Sequence, residues 1–227
     1  MSDTCVLTKL LQLASPTLPV GAFSYSQGLE SAIEAGIVYD AASAQSWISD
    51  VLDLSLAFME APVLLRLCRA WHETDSAAVE YWNALFLASR ETAELRAETV
   101  QMGYSLRRLL GDLADERSAV LDCLQALDEA AYPTAYAYAV AQWRLDPEQA
   151  LIAYLWSWLE NQVMAALKAV PLGQTDGQRI LLGLGERLLM VADQAASASD
   201  ESLGSFAPGL AILSSRHETQ YSRLFRS

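Results

Sequence analysis

Residues 146–173 read Asp146-Pro147-Glu148-Gln149-Ala150-Leu151-Ile152-Ala153-Tyr154-Leu155-Trp156-Ser157-Trp158-Leu159-Glu160-Asn161-Gln162-Val163-Met164-Ala165-Ala166-Leu167-Lys168-Ala169-Val170-Pro171-Leu172-Gly173. An aspartate, then a proline, then a glutamate is a strong helix start. The aspartate caps free amides, the proline sits where no amide donor is needed, and the acid suits the positive end of the dipole. The spacing predicts a helix from Pro147 to about Val170 that stops at Pro171-Leu172-Gly173. Its apolar residues cover most of the circumference, which places it at the centre of a bundle or at an interface. The simpler of these is a core helix.

The same period of about 3.6 recurs through the chain. Trp47, Val51, Leu54 and Phe58 follow it, as do Leu95, Thr99, Met102, Leu106 and Leu109, and Ile180, Leu184, Leu188 and Val191. No alternating, strand-like run occurs. The expected fold is therefore all-α: a single-domain helical bundle of roughly eight to ten helices over residues 1–227. Ser24-Tyr25-Ser26-Gln27 has the form of a capping box, opening a first helix that ends near Gly36. Pro62 and Pro133 are expected to open helices too. Ala195–Ser205 reads as a linker, Pro208–Leu213 as a short apolar helix, and Ser214–Ser227 as a polar tail with too little apolar surface to fold alone.

Composition narrows the function. Apolar residues make up 52% and charged residues 19%, so the chain is not of the disordered class. Its 15 cations against 28 acids give a net charge of −13, which repels phosphate backbones and anionic lipid. Neither nucleic acid nor membrane is expected as a partner. The most apolar run, Ala150–Leu159, is too short to span a bilayer, and residues 1–14 lack a secretory pattern. Cys5, Cys68 and Cys123 are scattered and odd in number, which points to a reducing, cytoplasmic setting. With only His72 and His217, no multi-histidine metal site is expected, and no cofactor.

Familiar catalytic patterns are missing. Neither Lys9 nor Lys168 follows a glycine-rich loop, so a P-loop is absent. Gly183-Leu184-Gly185 lies in a helical pattern with no strand before it. His217-Glu218 lacks a second histidine one turn on, and no GxSxG elbow supports a triad. The pairs Glu30/Glu34 and Glu94/Glu98 read as solvated helix faces.

Four segments carry more particular residues than packing needs. The first is Ser15–Glu30, where two prolines and a glycine lead into a helix start presenting Tyr25 and Ser26. The second is Arg90–Leu106, an ionic face with Gly103 allowing close helix approach. The third joins Glu160-Asn161-Gln162 to Lys168 and then to Gln174 and Arg179, whose amide and guanidinium could meet carbonyls across an interface. The fourth is the tail, which carries His217, Gln220, Tyr221, Arg223 and Phe225. Aromatic and arginine side chains anchor interfaces, so the tail reads as a segment ordered by a partner's apolar groove.

Taken together, LLQLASPTLPVGAFSYSQGLE, TAELRAETVQMGYSL, AYLWSWLENQVMAALKAVPLGQTDGQR and SSRHETQYSRLFRS resemble the UreF family of urease accessory proteins. The phrases run in the family's order from residue 10 to 227. Ala22 stands where the family often has a second glycine.

The resemblance implies an all-α, non-catalytic protein that helps deliver nickel to apo-urease. It implies binding to UreD (UreH in some systems), recruitment of the GTPase UreG with possible modulation of its hydrolysis, contact with apo-urease through that complex, and homodimerisation. Nickel would be handled in transit without a tight site. On this reading residues 206–227 are the partner-binding segment, with Tyr25, Ser26 and Glu30 beside it, and Lys168, Gln174 and Arg179 facing the dimer seam or UreG. The competing expectation is a helical small-molecule binder or enzyme with a pocket along helix 147–170, lined by Tyr154, Trp156 and Trp158.

Overall fold

The computed structural model describes residues 3–114 and 118–227. Met1, Ser2 and residues 115–117, which the expected single unit also spans, lie outside the described residues. Helices α1 (Asp3–Ala14), α2 (Leu29–Glu34), α3 (Ala41–Val51), α4 (Ala61–Glu73), α5 (Ser76–Ala88) and α6 (Ala93–Asp112) occupy the first half. They are followed by α7 (Ala119–Ala126), α8 (Tyr132–Gln142), α9 (Pro147–Ala169), α10 (Gln174–Ser197) and α11 (Pro208–His217). Among the described residues there is no strand. The all-α expectation holds, and one contiguous apolar core runs through these helices.

The decisive stretch folds as its sequence dictates. Asp146 accepts a bond from Gln149 N at 2.9 Å, and α9 runs from Pro147 to Ala169. It packs against α10, α1, α4, α2 and α3, with Leu151, Leu155 and Leu159 fully buried. Trp156 and Met164 emerge on its outer side.

A second knot fixes α6 against the entry of α8. A Cβ at Gly103 would lie 1.9 Å from the carbonyl oxygen of Ala130, so only glycine permits this approach. Buried Asn83 of α5 closes the same turn. Its Nδ2 donates to Glu129 O at 2.9 Å, and its Oδ1 accepts from Ala131 N at 2.9 Å and Thr134 Oγ1 at 2.7 Å. Thr99 of α6 accepts from Tyr132 N at 3.0 Å. The backbone polar groups of a buried bend are thereby satisfied from two neighbouring helices.

Several expected boundaries shift. Pro62 does not open a separate helix: α3 continues through a π-helical stretch, Leu52–Glu60, straight into α4. Proline at 62 cannot donate to the carbonyl of Phe58 four residues back. That carbonyl instead accepts from Gly204 N at 3.1 Å, and Leu54 O accepts from Phe206 N at 3.1 Å. The segment after α10 is stitched along the irregular helix by these bonds. The linker reading of Ala195–Ser205 fails at its start, because Ala195 is buried and α10 extends to Ser197. Residues 3–14, read only as lacking a signal, form α1 and pack on α9.

The expected capping box at Ser24–Gln27 does not form. The helix begins later, at Leu29, after two residues in left-handed backbone: Gln27 (φ 52°) and Gly28 (φ 77°). Ser24 O and the Gln27 side chain are drawn to other partners. Gly36, at φ 70°, closes α2 near the expected place.

Candidate partner-binding joint

The 15–30 segment, α6 and the tail meet at one place. Glu30 on α2, Glu94 and Glu98 on α6 and the tail form a buried polar seam, with α9 beneath it. Glu98 is only 5% exposed. Its Oε1 accepts from Gln27 Nε2 at 2.7 Å and its Oε2 from Ser227 Oγ at 2.9 Å. Gln27 Oε1 in turn accepts from Trp158 Nε1 of α9 at 2.6 Å. The left-handed backbone of Gln27 sets its amide between those two groups. A side chain other than glycine keeps that conformation only where surrounding contacts hold it.

The tail chain closes the seam with its main chain. Ser26 N and Ser26 Oγ both donate to Ser227 O, at 2.8 and 2.5 Å. Arg226 N donates to Ser24 O at 2.8 Å. Leu224 N donates to Glu30 Oε1 at 2.6 Å and Phe225 N to Glu30 Oε2 at 2.9 Å. A carboxylate that accepts two successive amides holds an extended strand of backbone with charge-assisted bonds.

His217, fully buried at the end of α11, bridges two of the acids. Its Nδ1 lies 2.7 Å from Glu94 Oε2 and its Nε2 lies 3.2 Å from Glu30 Oε2. Arg223 Nη1 donates to Glu94 Oε1 at 2.8 Å. Glu218 reaches the start of α6, accepting from Ala93 N at 3.1 Å, while Thr92 and Ser214 share a hydroxyl bond of 2.7 Å. Gln220 Oε1 accepts from Ser31 Oγ at 3.1 Å.

Burial sets the electrostatics. It pushes the Glu98 carboxyl up to about 7, against the pull of its bonds from Gln27 and Ser227, and Glu60 nearby adds to the rise. Tyr25 is raised as well, by burial first and by Glu98 second, with Arg226 at its hydroxyl opposing both. Lys168 Nζ stands 5.6 Å from the Phe225 ring centre and 6.0 Å from that of Phe23, within cation–π range of each.

The tail thus departs from the expectation of a segment awaiting a partner's groove. Phe225 is buried in its own chain, and Glu30, Glu94 and Glu98 supply the acceptors and charge that the tail's own composition lacks. These acids are not solvated faces either. Glu98 sits three residues after Leu95 and four before Met102, on the apolar side of α6. That register was the readable signal for its burial.

Among the residues singled out from sequence, Tyr25, Ser26, Glu30, His217 and Phe225 are buried in this joint. Gln220 and Arg223 lie on its rim, and Tyr221 is fully exposed. Lys168 joins them from α9. Gln174 and Arg179 do not: they belong to the first turns of α10, where Arg179 pairs with Asp176 at 2.9 Å on the surface. Sequence reading missed the bridging role of Gln27 and the seam acids Glu94 and Glu98.

A cavity of about 160 Å³ lies beside the joint. Gln27 and Glu98 form part of its wall, and Tyr154, Trp158 and Lys168 line it from α9. Trp156, expected in such a pocket, faces away, towards Gly185 of α10. Deeper in, Glu60 accepts from the Tyr154 hydroxyl and pairs with Arg90 at 3.4 Å. No helix is long and apolar enough to cross a membrane, and no cluster of metal-ligating side chains occurs, among the described residues.

Comparison with known proteins finds relatives along nearly the whole chain. The family model UreF matches residues 38–185. A urease accessory protein UreF of Dechloromonas aromatica is 55% identical over 226 residues, covering 99% of each chain. One from an Azoarcus species is 58% identical over 97% of this chain and 95% of its own, and one from Methylobacillus flagellatus is 52% identical over the whole of both. With identities above 50% over nearly the whole chain, and a family model matching more than half of it, the chain belongs to the UreF family of urease accessory proteins.

Proposed function

We propose that this protein is an adaptor in assembly of the urease nickel centre, binding UreD (or UreH), recruiting the GTPase UreG, and reaching apo-urease through that complex. The observation that carries this reading is the full-length likeness to urease accessory proteins, at 52–58% identity. The joint gives it a physical form. Its buried half fixes the tail, and its outer half presents Tyr221, Leu224 and Phe23, all strongly exposed, beside Arg223 and Lys168. Exposed aromatic and aliphatic anchors with a cationic rim are what a docking surface needs.

In this reading Tyr25, Ser26, Glu30, His217 and Phe225 shape the surface without touching the partner, while Gln220, Tyr221 and Arg223 touch it. Lys168 braces the tail aromatic. Gln174 and Arg179, on α10, serve a second contact, either the homodimer seam or UreG. The chain contributes no bond-making chemistry, and nickel passes through the assembly as cargo.

Reconstitution of urease activation from purified UreD, UreG, apo-urease, nickel and GTP tests the proposal. Active urease is expected only when this chain is added, with a stable complex visible by size exclusion. Full activation in its absence, or a chain that forms no complex with UreD, overturns it. The small-molecule reading rests on the cavity at Tyr154 and Trp158. It requires a ligand-dependent rise in melting temperature without any protein partner.

A further inference from the structure

We propose that the 216–227 tail is a proton-operated latch, held closed by a proton on the buried carboxylate of Glu98 and loosened as it leaves. The inference stands on the seam's geometry and does not depend on which protein the tail serves.

The first element is the bridge Glu30–His217–Glu94. A neutral imidazole donates from one ring nitrogen only. Here both nitrogens lie at hydrogen-bond distance from carboxylate oxygens, 2.7 and 3.2 Å, with the ring wholly buried. The ring thus ties α11 to both α2 and α6 inside the seam. The charged groups around this bridge are Arg223, bound to Glu94, and Glu218 on the last turn leading into the tail. Glu30 is otherwise committed to the amides of Leu224 and Phe225, so disturbing the bridge disturbs the tail backbone directly.

The second element is Glu98. Among the described residues it accepts only from neutral donors, Gln27 and Ser227. The charged or titratable groups facing it are Glu60 from the π-helical stretch, Arg90 from the turn before α6, and Tyr25 from the lead-in loop; Arg226 stands at Tyr25. Arg90 pairs with Glu60, and among the described residues Glu98 has no direct cationic partner. Burial holds its carboxyl up to about 7 while the latch is closed. Once the tail leaves and water enters, it returns towards its ordinary 4.5. Closing therefore takes up a proton between those two values. The closed state is most favoured at low pH and loses ground until the pH passes about 7. The His217 bridge links this proton uptake to the tail backbone through Glu30.

Hydrogen–deuterium exchange of the full chain tests this. The probe is the 219–227 peptide, which contains the Leu224 and Phe225 amides, corrected for the intrinsic pH dependence of exchange. Between pH 6 and pH 8 its protection is expected to fall about tenfold, while a peptide from the interior of α9 keeps its protection. In the Glu94→Gln/Glu98→Gln chain the fall is expected to vanish. The amide at 94 can donate or accept towards His217, and the amide at 98 keeps the bonding positions without a charge. A wild-type fall smaller than about threefold overturns the proposal, as does an undiminished fall in the double variant. Should the double variant fail to fold, the wild-type profile decides alone.

Discussion

The Glu98 carboxylate and the Ser227 hydroxyl meet at 2.9 Å, joining residues 129 apart in sequence inside a site almost closed to solvent. The contact makes the end of the chain part of the fold that α6 and α9 build. Deleting the tail would therefore strip partners from Glu30, Glu94 and Glu98 as well as removing a surface.

Replacing Phe225 by alanine removes a buried ring that stands within cation–π range of Lys168 and belongs to the apolar core. Truncating a buried phenylalanine costs about 3–5 kcal/mol. The tail is a peripheral segment, so the loss is expected as local undocking rather than global unfolding. Proteolysis at Arg223 and Arg226 should accelerate strongly, with the urea midpoint of the helical body lowered by far less.

Gln27→Ala should destabilise the protein by about 1–3 kcal/mol, because it leaves a Glu98 oxygen and the Trp158 indole without their partners. Gln27→Gly loses the same bonds but relieves the left-handed backbone at φ 52°. It should be the less damaging of the two by urea denaturation. Equal losses would show that the backbone at Gln27 stores no strain.

Gly103→Ala places a methyl 1.9 Å from the Ala130 carbonyl oxygen, against backbone that cannot rotate away. A cost at or above the upper end of the ~1–3 kcal/mol usual for overpacking is expected, read as a large fall in melting temperature. Asn83→Ala attacks the same corner from α5 by orphaning Glu129 O, Ala131 N and Thr134 Oγ1, and should cost at least ~2 kcal/mol.

Global stability should depend on Glu98 with a definite sign. Its carboxyl is raised in the folded state from 4.5 to about 7, so its contribution is full below 4.5 and is lost as the pH rises to about 7. Relative to wild type, Glu98→Gln should therefore gain stability from pH 5 to pH 8, by up to ~3 kcal/mol, in urea titrations at the two pH values. A difference independent of pH would mean that the site stays wet.

Much of the fold was legible because local rules and packing agreed. The Asp146-Pro147 start and the all-round apolar α9 needed no tertiary information, and Gly103 marked a close approach. Reading failed where distant chain overrode local preference. Ser24 and Gln27 match a capping box, yet Ser24 O accepts from Arg226 and Gln27 bridges Glu98 and Trp158. Pro62 reads as a helix start, yet Gly204 compensates its missing donor and the helix continues. The candidate site was half legible. The aromatic, cationic tail and the serine-rich lead-in were visible as special, but their convergence was not. Nothing local pairs Glu30 with the amides of Leu224 and Phe225, so those acids read as solvent-facing until the tail lay against them.

The most direct test of the proposed adaptor role is the affinity of UreD for the chain with Tyr221→Ala and Leu224→Ser. Both side chains are exposed and neither side chain supports the helical body. The variant should keep its melting temperature while its UreD dissociation constant rises at least about a hundredfold, as expected for two interface anchors of roughly 1.5 kcal/mol or more each. Unchanged affinity in a folded variant would contradict the assignment of this surface to the partner.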